Sequence, residues 1–350
     1  MSERIQVGLI GYGFAGRAFH APVITSVPNM NLKTVVERRS EQSKKRYPWV
    51  NIVRDANDLY NDPDIDLVVV TTPSPDHYQF VHDALIAGKH VVVEKPFTPT
   101  VEEADKLIQL SKEKGKVLSV FHNRRWDGDF LTIQQILKQG LLGEVMEAEF
   151  HWNGFNPHVS NNWRDQEGQG TGVFYDLGVH LLDQAVCLFG MPETIFADIQ
   201  IQRENGLSDD YFDVTLGYEN NLKVTIKSSK FVKDHGPRYI MHGDQGSFIK
   251  YGLDPQEQEL IDGKTPASSA NWGKEQKEMW GTLTTSIGDL QITGKIETIP
   301  GAYQDFYQNI SDHIQGVSDL AVKSEEARMN ILLIELALKS HQEKRVITVT

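Results

Sequence analysis

Gly11-Tyr12-Gly13-Phe14-Ala15-Gly16 follows the apolar run Val7-Gly8-Leu9-Ile10 and opens a helix expected over Phe14–Ser26. A strand that enters a helix through such a turn leaves the fold little freedom. Gly11 permits the tight turn, Gly13 lets a pyrophosphate approach the backbone, and Gly16 lets helix and strand pack closely. The helix start adds unpaired N–H groups and the positive end of its dipole. Three glycines can also be a flexible loop, so the downstream pattern decides. Strands are expected at Ile5–Ile10, Leu32–Val36, Asn51–Val53, Ile65–Thr71, His90–Val93 and Val117–Phe121, with helices near Asp76–Ala87 and Val101–Lys114. Their apolar runs are continuous rather than alternating, as in strands buried on both faces. The pattern predicts a doubly wound parallel sheet that binds a dinucleotide.

Beyond Phe121 the texture changes. His122–Asp127 is a polar, aromatic junction, and Phe130–Gln139 reads as a helix ended by Gly140. Strand-like runs then succeed one another at Val145–Trp152, Thr194–Arg203, Tyr211–Tyr218, Leu222–Phe231, Arg238–Gly243 and Ser247–Tyr251. Several alternate, as in Leu222-Lys223-Val224-Thr225-Ile226-Lys227, which gives one buried and one wet face. Strands in series without helices between them predict an antiparallel sheet in an α+β second domain. Helices are expected at Tyr175–Leu188 and Glu325–Gln342, with a last strand at Val346–Val349. The stretch 255–294 reads as a polar, turn-rich excursion or a partner-contacting arm.

Composition narrows the function classes. The 350 residues carry 48 acidic and 35 basic side chains, a net charge of −13. That balance argues against a nucleic-acid partner, whose phosphates call for clustered Lys and Arg. No stretch approaches the ~20 apolar residues that cross a bilayer, so no membrane role is expected. Met1-Ser2-Glu3-Arg4 lacks a signal-peptide pattern, and a cytoplasmic location is expected. The single cysteine, Cys187, allows no intrachain disulfide, and its apolar neighbours place it in the core.

Ligands of open α/β sheets bind beyond the carboxyl ends of the strands. The second strand ends in Glu37-Arg38-Arg39-Ser40, where the adenosine ribose is read. An acidic residue there accepts from a free 2′-hydroxyl, and an arginine pairs with a 2′-phosphate. Both are present; the two arginines and the serine favour NADP, with NAD as the alternative. The fourth strand ends in Thr71-Thr72-Pro73-Ser74-Pro75-Asp76-His77 and the fifth in Glu94-Lys95-Pro96-Phe97, so both loops are expected to open toward the cofactor. In Tyr175-Asp176-Leu177-Gly178-Val179-His180, Asp176 and His180 are four apart, on one face of the helix. The carboxylate could orient the imidazole for acid–base work; a helix cap and a core histidine are the plainer reading. Scattered histidines, one cysteine and no H-E-x-x-H or paired C-x-x-C give no metal site.

With the glycine turn, Glu94-Lys95-Pro96 and Asp176-x-Gly178-x-His180, the chain resembles the Gfo/Idh/MocA family of NAD(P)-dependent oxidoreductases over nearly its whole length. His122-Asn123-Arg124-Arg125-Trp126-Asp127, Tyr175-Asp176-Leu177-Gly178 and Phe248-Ile249-Lys250-Tyr251-Gly252 look like the branch containing the NADP-dependent scyllo-inositol dehydrogenases. The resemblance implies an α/β Rossmann domain over 1–122. It implies an α+β substrate-binding and oligomerisation domain over 123–350, with a large, mostly antiparallel open sheet that joins homo-oligomers, dimers or tetramers. Lys95, Asp176 and His180 form the implied catalytic set: His180 as general base, Lys95 as donor to the reacting oxygen, Asp176 as orienting group. Pro96 in this family is frequently cis. The cofactor would be held by Gly11, Tyr12, Gly13, Phe14, Ala15, Gly16, Glu37, Arg38, Arg39, Ser40, Thr72, Pro73, His77, Glu94 and Lys95. A polyol would be met by Asn123, Arg124, Trp126, Asp127, Asn153 and Arg164. The implied reaction is reversible oxidation of a ring hydroxyl of an inositol or sugar to a ketone. Another sugar or biliverdin-type reductase, or a non-catalytic dinucleotide-binding sensor, would fit the same scaffold. One departure is Ser74, where many members carry Asn.

Overall fold

The apolar runs of the first third form one parallel sheet, from β1 (Ile5–Ile10), β2 (Met30–Val36), β3 (Asn51–Val53), β4 (Leu67–Val70), β5 (His90–Val93) and β6 (Leu118–Val120). The computed structural model describes residues 4–160 and 162–349. The strand order is β3-β2-β1-β4-β5-β6. It reverses between β1 and β4, so the crevice at the switch point opens beside Gly11 and Thr71. All four β4 residues are buried, as a central strand covered on both faces requires.

The helix after the glycine turn is not the single α-helix expected over Phe14–Ser26. A π-helical turn, Gly16–His20, precedes a short α-helix, Ala21–Ile24. Pro22 has no N–H and crowds the preceding turn, and the Ala21 N–H reaches back to the Gly16 carbonyl instead.

Two compact units are present. The first takes in the chain up to Trp126 and also Gln256–Trp272 and Ala302–Arg328. A single cut at residue 122 therefore does not describe it. Its core joins Val7, Leu9, Leu32 and Val69 with Leu260, Trp272, Tyr303, Phe306, Tyr307 and Val322. The Gln304–Ile314 helix supplies Phe306 and Tyr307, and adds Ile310, on an apolar stripe that no sequence motif marks.

The second unit is built on β7 (Val145–His151), β8 (Thr194–Gln200), β9 (Tyr211–Gly217), β10 (Lys223–Ser229), β11 (Pro237–Gly243), β12 (Gly246–Tyr251), β13 (Gly281–Ile287), β14 (Leu290–Ile296) and β15 (Ile347–Thr348). The order is β14-β13-β12-β11-β7-β10-β9-β8-β15. Only β7 and β10 pair in parallel; the other neighbours are antiparallel. The inner face packs on the Val179–Phe189 helix, where Tyr239 donates to Gln184 Oε1 at 2.9 Å.

Two expectations are corrected in this unit. The stretch 255–294 is not an irregular excursion, because β13 and most of β14 lie in it, joined at Gly288-Asp289 with Gly288 at φ 58°. Threonine and isoleucine suit a strand, and the polarity reflects β14, exposed along nearly all its length. Cys187 is exposed, not in the core. The run of buried residues in its helix ends at Ala185, and the last turn emerges into solvent. No helix among the described residues is long and apolar enough to cross a membrane.

Candidate active site

At the glycine turn, Gly11 sits at φ +95°, a conformation other residues rarely adopt. A Cβ on Gly16 would lie 2.3 Å from the Gly11 carbonyl oxygen, whereas one on Gly13 would meet nothing within 4 Å. The turn is closed toward the sheet and open on the other side, which suits a diphosphate laid on backbone N–H groups. Beyond it lies a cleft of about 510 Å³ lined by Gly13, Glu37, Arg38, Arg54, Thr72 and Pro73 among others. Thr72 Oγ1 is buried there without a partner among the described residues. These features fit a dinucleotide.

Glu37 lines this cleft, but its carboxylate is already engaged. Its carboxylate accepts from Ser43 N at 2.8 Å, from Gln42 N at 2.9 Å and from the Ser40 hydroxyl. It therefore caps the Gln42–Arg46 helix. Burial pushes its carboxyl up, but the hydrogen bonds from Ser40, Ser43 and Gln42 outweigh this and hold it below its ordinary value. Arg54 braces the same loop, donating to the carbonyls of Glu37 at 2.7 Å and Ser40 at 2.5 Å. No motif marked Arg54 in the sequence. Arg38 and Arg39 are exposed, and Arg38, not Arg39, is in the lining of the cleft.

The Lys95–Pro96 peptide is cis, and the loop that carries it is tied at both ends. His77 is fully buried, with Nδ1 2.9 Å from the Pro96 carbonyl and Nε2 3.0 Å from the Thr72 carbonyl. It bridges two strand-end loops, which replaces the direct cofactor contact expected of it. Glu94 also faces inward. Its Oε2 accepts from Lys95 N at 3.0 Å, and its Oε1 lies 2.8 Å from His20 Nε2. Burial pushes the Glu94 carboxyl up, but the bond to His20 and the Lys95 charge more than offset this.

In the second unit, Asp176 falls in a π-helical turn, Phe174–Gly178, and His180 in the α-helix that follows. Asp176 is not the cap. Asp209 takes that place, its Oδ2 accepting from Phe174 N at 2.7 Å and its carbonyl from Val173 N at 2.9 Å. Burial pushes the Asp209 carboxyl up to about 7, against those two N–H groups and helped by the neighbouring Asp210 charge. Asp209 lies 35 positions from the helix it caps, so no local pattern announces it. Asp176 accepts from Arg164 Nε at 3.1 Å, and the Arg164 guanidinium lies 4.8 Å from the Trp163 ring centre. Burial lowers the Lys230 ammonium, while Asp176 is its foremost charged neighbour. The buried His180 ring is 5.6 Å from Trp152, and the Arg238 guanidinium is 4.2 Å from the Trp152 ring centre.

The polyol candidates divide. Arg164 and Asn153 lie in this region of the second unit, and Asn153 Oδ1 is buried without a partner among the described residues. Arg124 is instead a packing residue of the first unit, donating to Tyr303 Oη at 2.8 Å and pairing with Glu257. Trp126 packs its ring 5.7 Å from Phe306, and its carbonyl accepts from Gln256 Nε2 at 3.0 Å. Asn123 and Asp127 are buried. No group of three or more metal-ligating side chains is present among the described residues.

Comparison with known proteins bears on the whole chain. Residues 5–122 match the model of an oxidoreductase family's NAD-binding Rossmann fold, and 134–349 that of its C-terminal alpha/beta domain. The chain is 42% identical over 344 residues to the uncharacterized oxidoreductase YdgJ of Escherichia coli, covering 98% of each. It is 41% identical over 345 residues to scyllo-inositol 2-dehydrogenase (NADP(+)) IolW of Bacillus subtilis, covering 99% of this chain and 96% of that one. The crystal structure of an oxidoreductase from Bacillus cereus superposes with a TM-score of 0.92 at 36% identity, covering 99% of both chains. The glycine turn, the lysine loop and the Asp176–His180 segment thus stand in a chain matched at both ends, and the protein belongs to the Gfo/Idh/MocA oxidoreductase family.

Proposed function

We propose that the protein is an NADP-preferring dehydrogenase that reversibly oxidises a ring hydroxyl of a polyol of the scyllo-inositol kind, or of a sugar, to the ketone. The substrate class rests on its 41% identity to a relative named as a scyllo-inositol 2-dehydrogenase. The cofactor preference rests on one observation, the capture of Glu37 by the backbone of the helix it caps. A carboxylate so engaged is a poorer acceptor for a 2′-hydroxyl, and the exposed Arg38 in the cleft can pair with a 2′-phosphate.

The nicotinamide, when bound, supplies the hydride acceptor. The chain's own residues do the rest. Gly11–Gly16 hold the diphosphate, and the Thr72-Pro73 and Lys95-Pro96 loops frame the nicotinamide end. Lys95 donates a hydrogen bond to the reacting oxygen and stabilises alkoxide charge as it develops. His180 takes the hydroxyl proton as general base, and Asp176, paired with Arg164, orients a neighbouring hydroxyl. Apolar side chains left exposed along the second sheet, Phe196, Ile287, Leu290 and Ile292, support association of copies through it.

The deciding experiment is a spectrophotometric screen of myo-inositol, scyllo-inositol, glucose and xylose with NAD and NADP. Reduction of NADP by an inositol is expected; no reduction with any pair would remove the dehydrogenase reading.

A further inference from the structure

A second network lies behind the lysine loop, and it reaches across the sequence to the Gln304–Ile314 helix. His20, in the π-helical turn, is fully buried, with Nδ1 2.5 Å from Tyr307 Oη and Nε2 2.8 Å from Glu94 Oε1. Tyr307 is also fully buried. Burial and the nearby Glu94 charge push its hydroxyl far above the ordinary phenol value, so it keeps its proton. The Glu94 carboxylate can only accept, so Nε2–H is the donor to it; a neutral imidazole of that tautomer accepts at Nδ1, and the Tyr307 hydroxyl donates there. The other carboxylate oxygen accepts the Lys95 N–H. Phe121 lies 4.2 Å from the His20 ring and Phe306 4.9 Å from Phe121, which blocks rotation of the imidazole.

We infer that Tyr307 and His20 are positioning residues of the lysine loop, acting in sequence through the Glu94 carboxylate. The inference rests on the proposed role of Lys95. Without the Nε2 proton, Glu94 keeps only one of its two hydrogen-bond donors. It is then free to turn, and the backbone that aims Lys95 turns with it.

The test compares His20→Ala, His20→Gln and Tyr307→Phe in the full-length protein. His20→Ala should lower kcat roughly 10-fold, with the polyol KM and the NADP Kd within about 3-fold of wild type, as when a supporting partner of an active group is lost. His20→Gln, whose amide N–H reaches the same carboxylate, should recover most of that loss, and Tyr307→Phe should fall between. Unchanged kcat in all three, or kcat, KM and Tm falling together without recovery in His20→Gln, would overturn it. An independent measurement needs no cofactor: the imidazole ¹⁵N spectrum, with the His20 signals identified by their loss in His20→Gln. The Nε2–H tautomer is expected, with an Nδ1 resonance that moves in Tyr307→Phe. An Nδ1–H tautomer, or no movement, would overturn the inference. If the wild type oxidises no polyol, the functional reading fails on its own, and the imidazole spectra still decide this one.

Discussion

The cofactor end of the first unit and the Phe174–Phe189 segment of the second present their chemistry in opposite ways. In the first, backbone does the binding: a glycine turn, two strand-end loops, and side chains such as Glu37 and His77 that hold backbone in place. In the second, the candidate groups are helix side chains set among other side chains, with Asp176 on Arg164 and His180 beside Trp152. The two capping carboxylates show the contrast. Glu37 accepts three hydrogen bonds and is held below its ordinary value, so the loop around it is insensitive to pH near neutrality. Asp209 accepts fewer and is pushed up to about 7. Recognition by shape and recognition by charge are thus segregated, and they should fail differently.

The largest expected effect is at Lys95, on the fifth strand's loop. Lys95→Ala should lower kcat by roughly 10²–10³ while leaving NADP affinity nearly intact, as for loss of one donor to a developing oxyanion. Unchanged turnover, read by NADPH absorbance, would take Lys95 out of the chemistry. Gly16→Ala tests the backbone mode, since its Cβ would lie 2.3 Å from the Gly11 carbonyl. A loss of about 1–3 kcal/mol in stability, together with weakened binding of both NAD and NADP, is expected by urea titration and fluorescence. Next, Arg38→Ala should weaken NADP by about 10-fold and NAD hardly at all in calorimetric titrations. Equal weakening would mean that Arg38 does not read the 2′-phosphate. Glu37→Gln should lower Tm slightly without altering that preference; a switch toward either cofactor would show that Glu37 reads the ribose after all.

The pH response sharpens the contrast further. The folded Asp209 carboxyl titrates near 7, against about 3.8 unfolded, so between those values the folded state holds the extra proton. Stability should therefore fall as pH rises from about 4 to 7 and level off above, by up to about 4 kcal/mol from this group. Asp209→Asn keeps the acceptor for Phe174 N and should flatten that part of the urea-midpoint profile. An unchanged slope would place the pH response elsewhere.

Much of this was legible in residues close together in sequence. The six strands of the first sheet and the glycine turn follow from continuous apolar runs and from the conformations only glycine tolerates. Lys95 and the Asp176–His180 pair stand out as candidates because each sits in a short motif at an element end. What escaped was set by distant partners. The engagement of Glu37 depends on backbone N–H groups five and six residues away; Asp209 and Tyr307 act on segments 35 and 287 residues distant. Arg124 looked like a ligand group because Glu257 and Tyr303, which occupy it, come far later in the chain. β14 looked like loop because an edge strand exposed on both faces carries no burial pattern.

The segments that return to the first unit set an order for synthesis. Tyr303, Phe306 and Tyr307 complete its core, and Ser119 Oγ bonds the Val322 carbonyl at 2.8 Å. The ribosome must therefore add 302 − 126 = 176 residues after Trp126 before Ala302 appears and this unit can close. At typical translation speeds that is roughly 10–35 s, during which a parallel sheet waits with part of its apolar surface open. The nucleotide-binding half is begun first and closes only after most of the second unit has been made, so a truncated message would yield a sticky fragment rather than a small working domain.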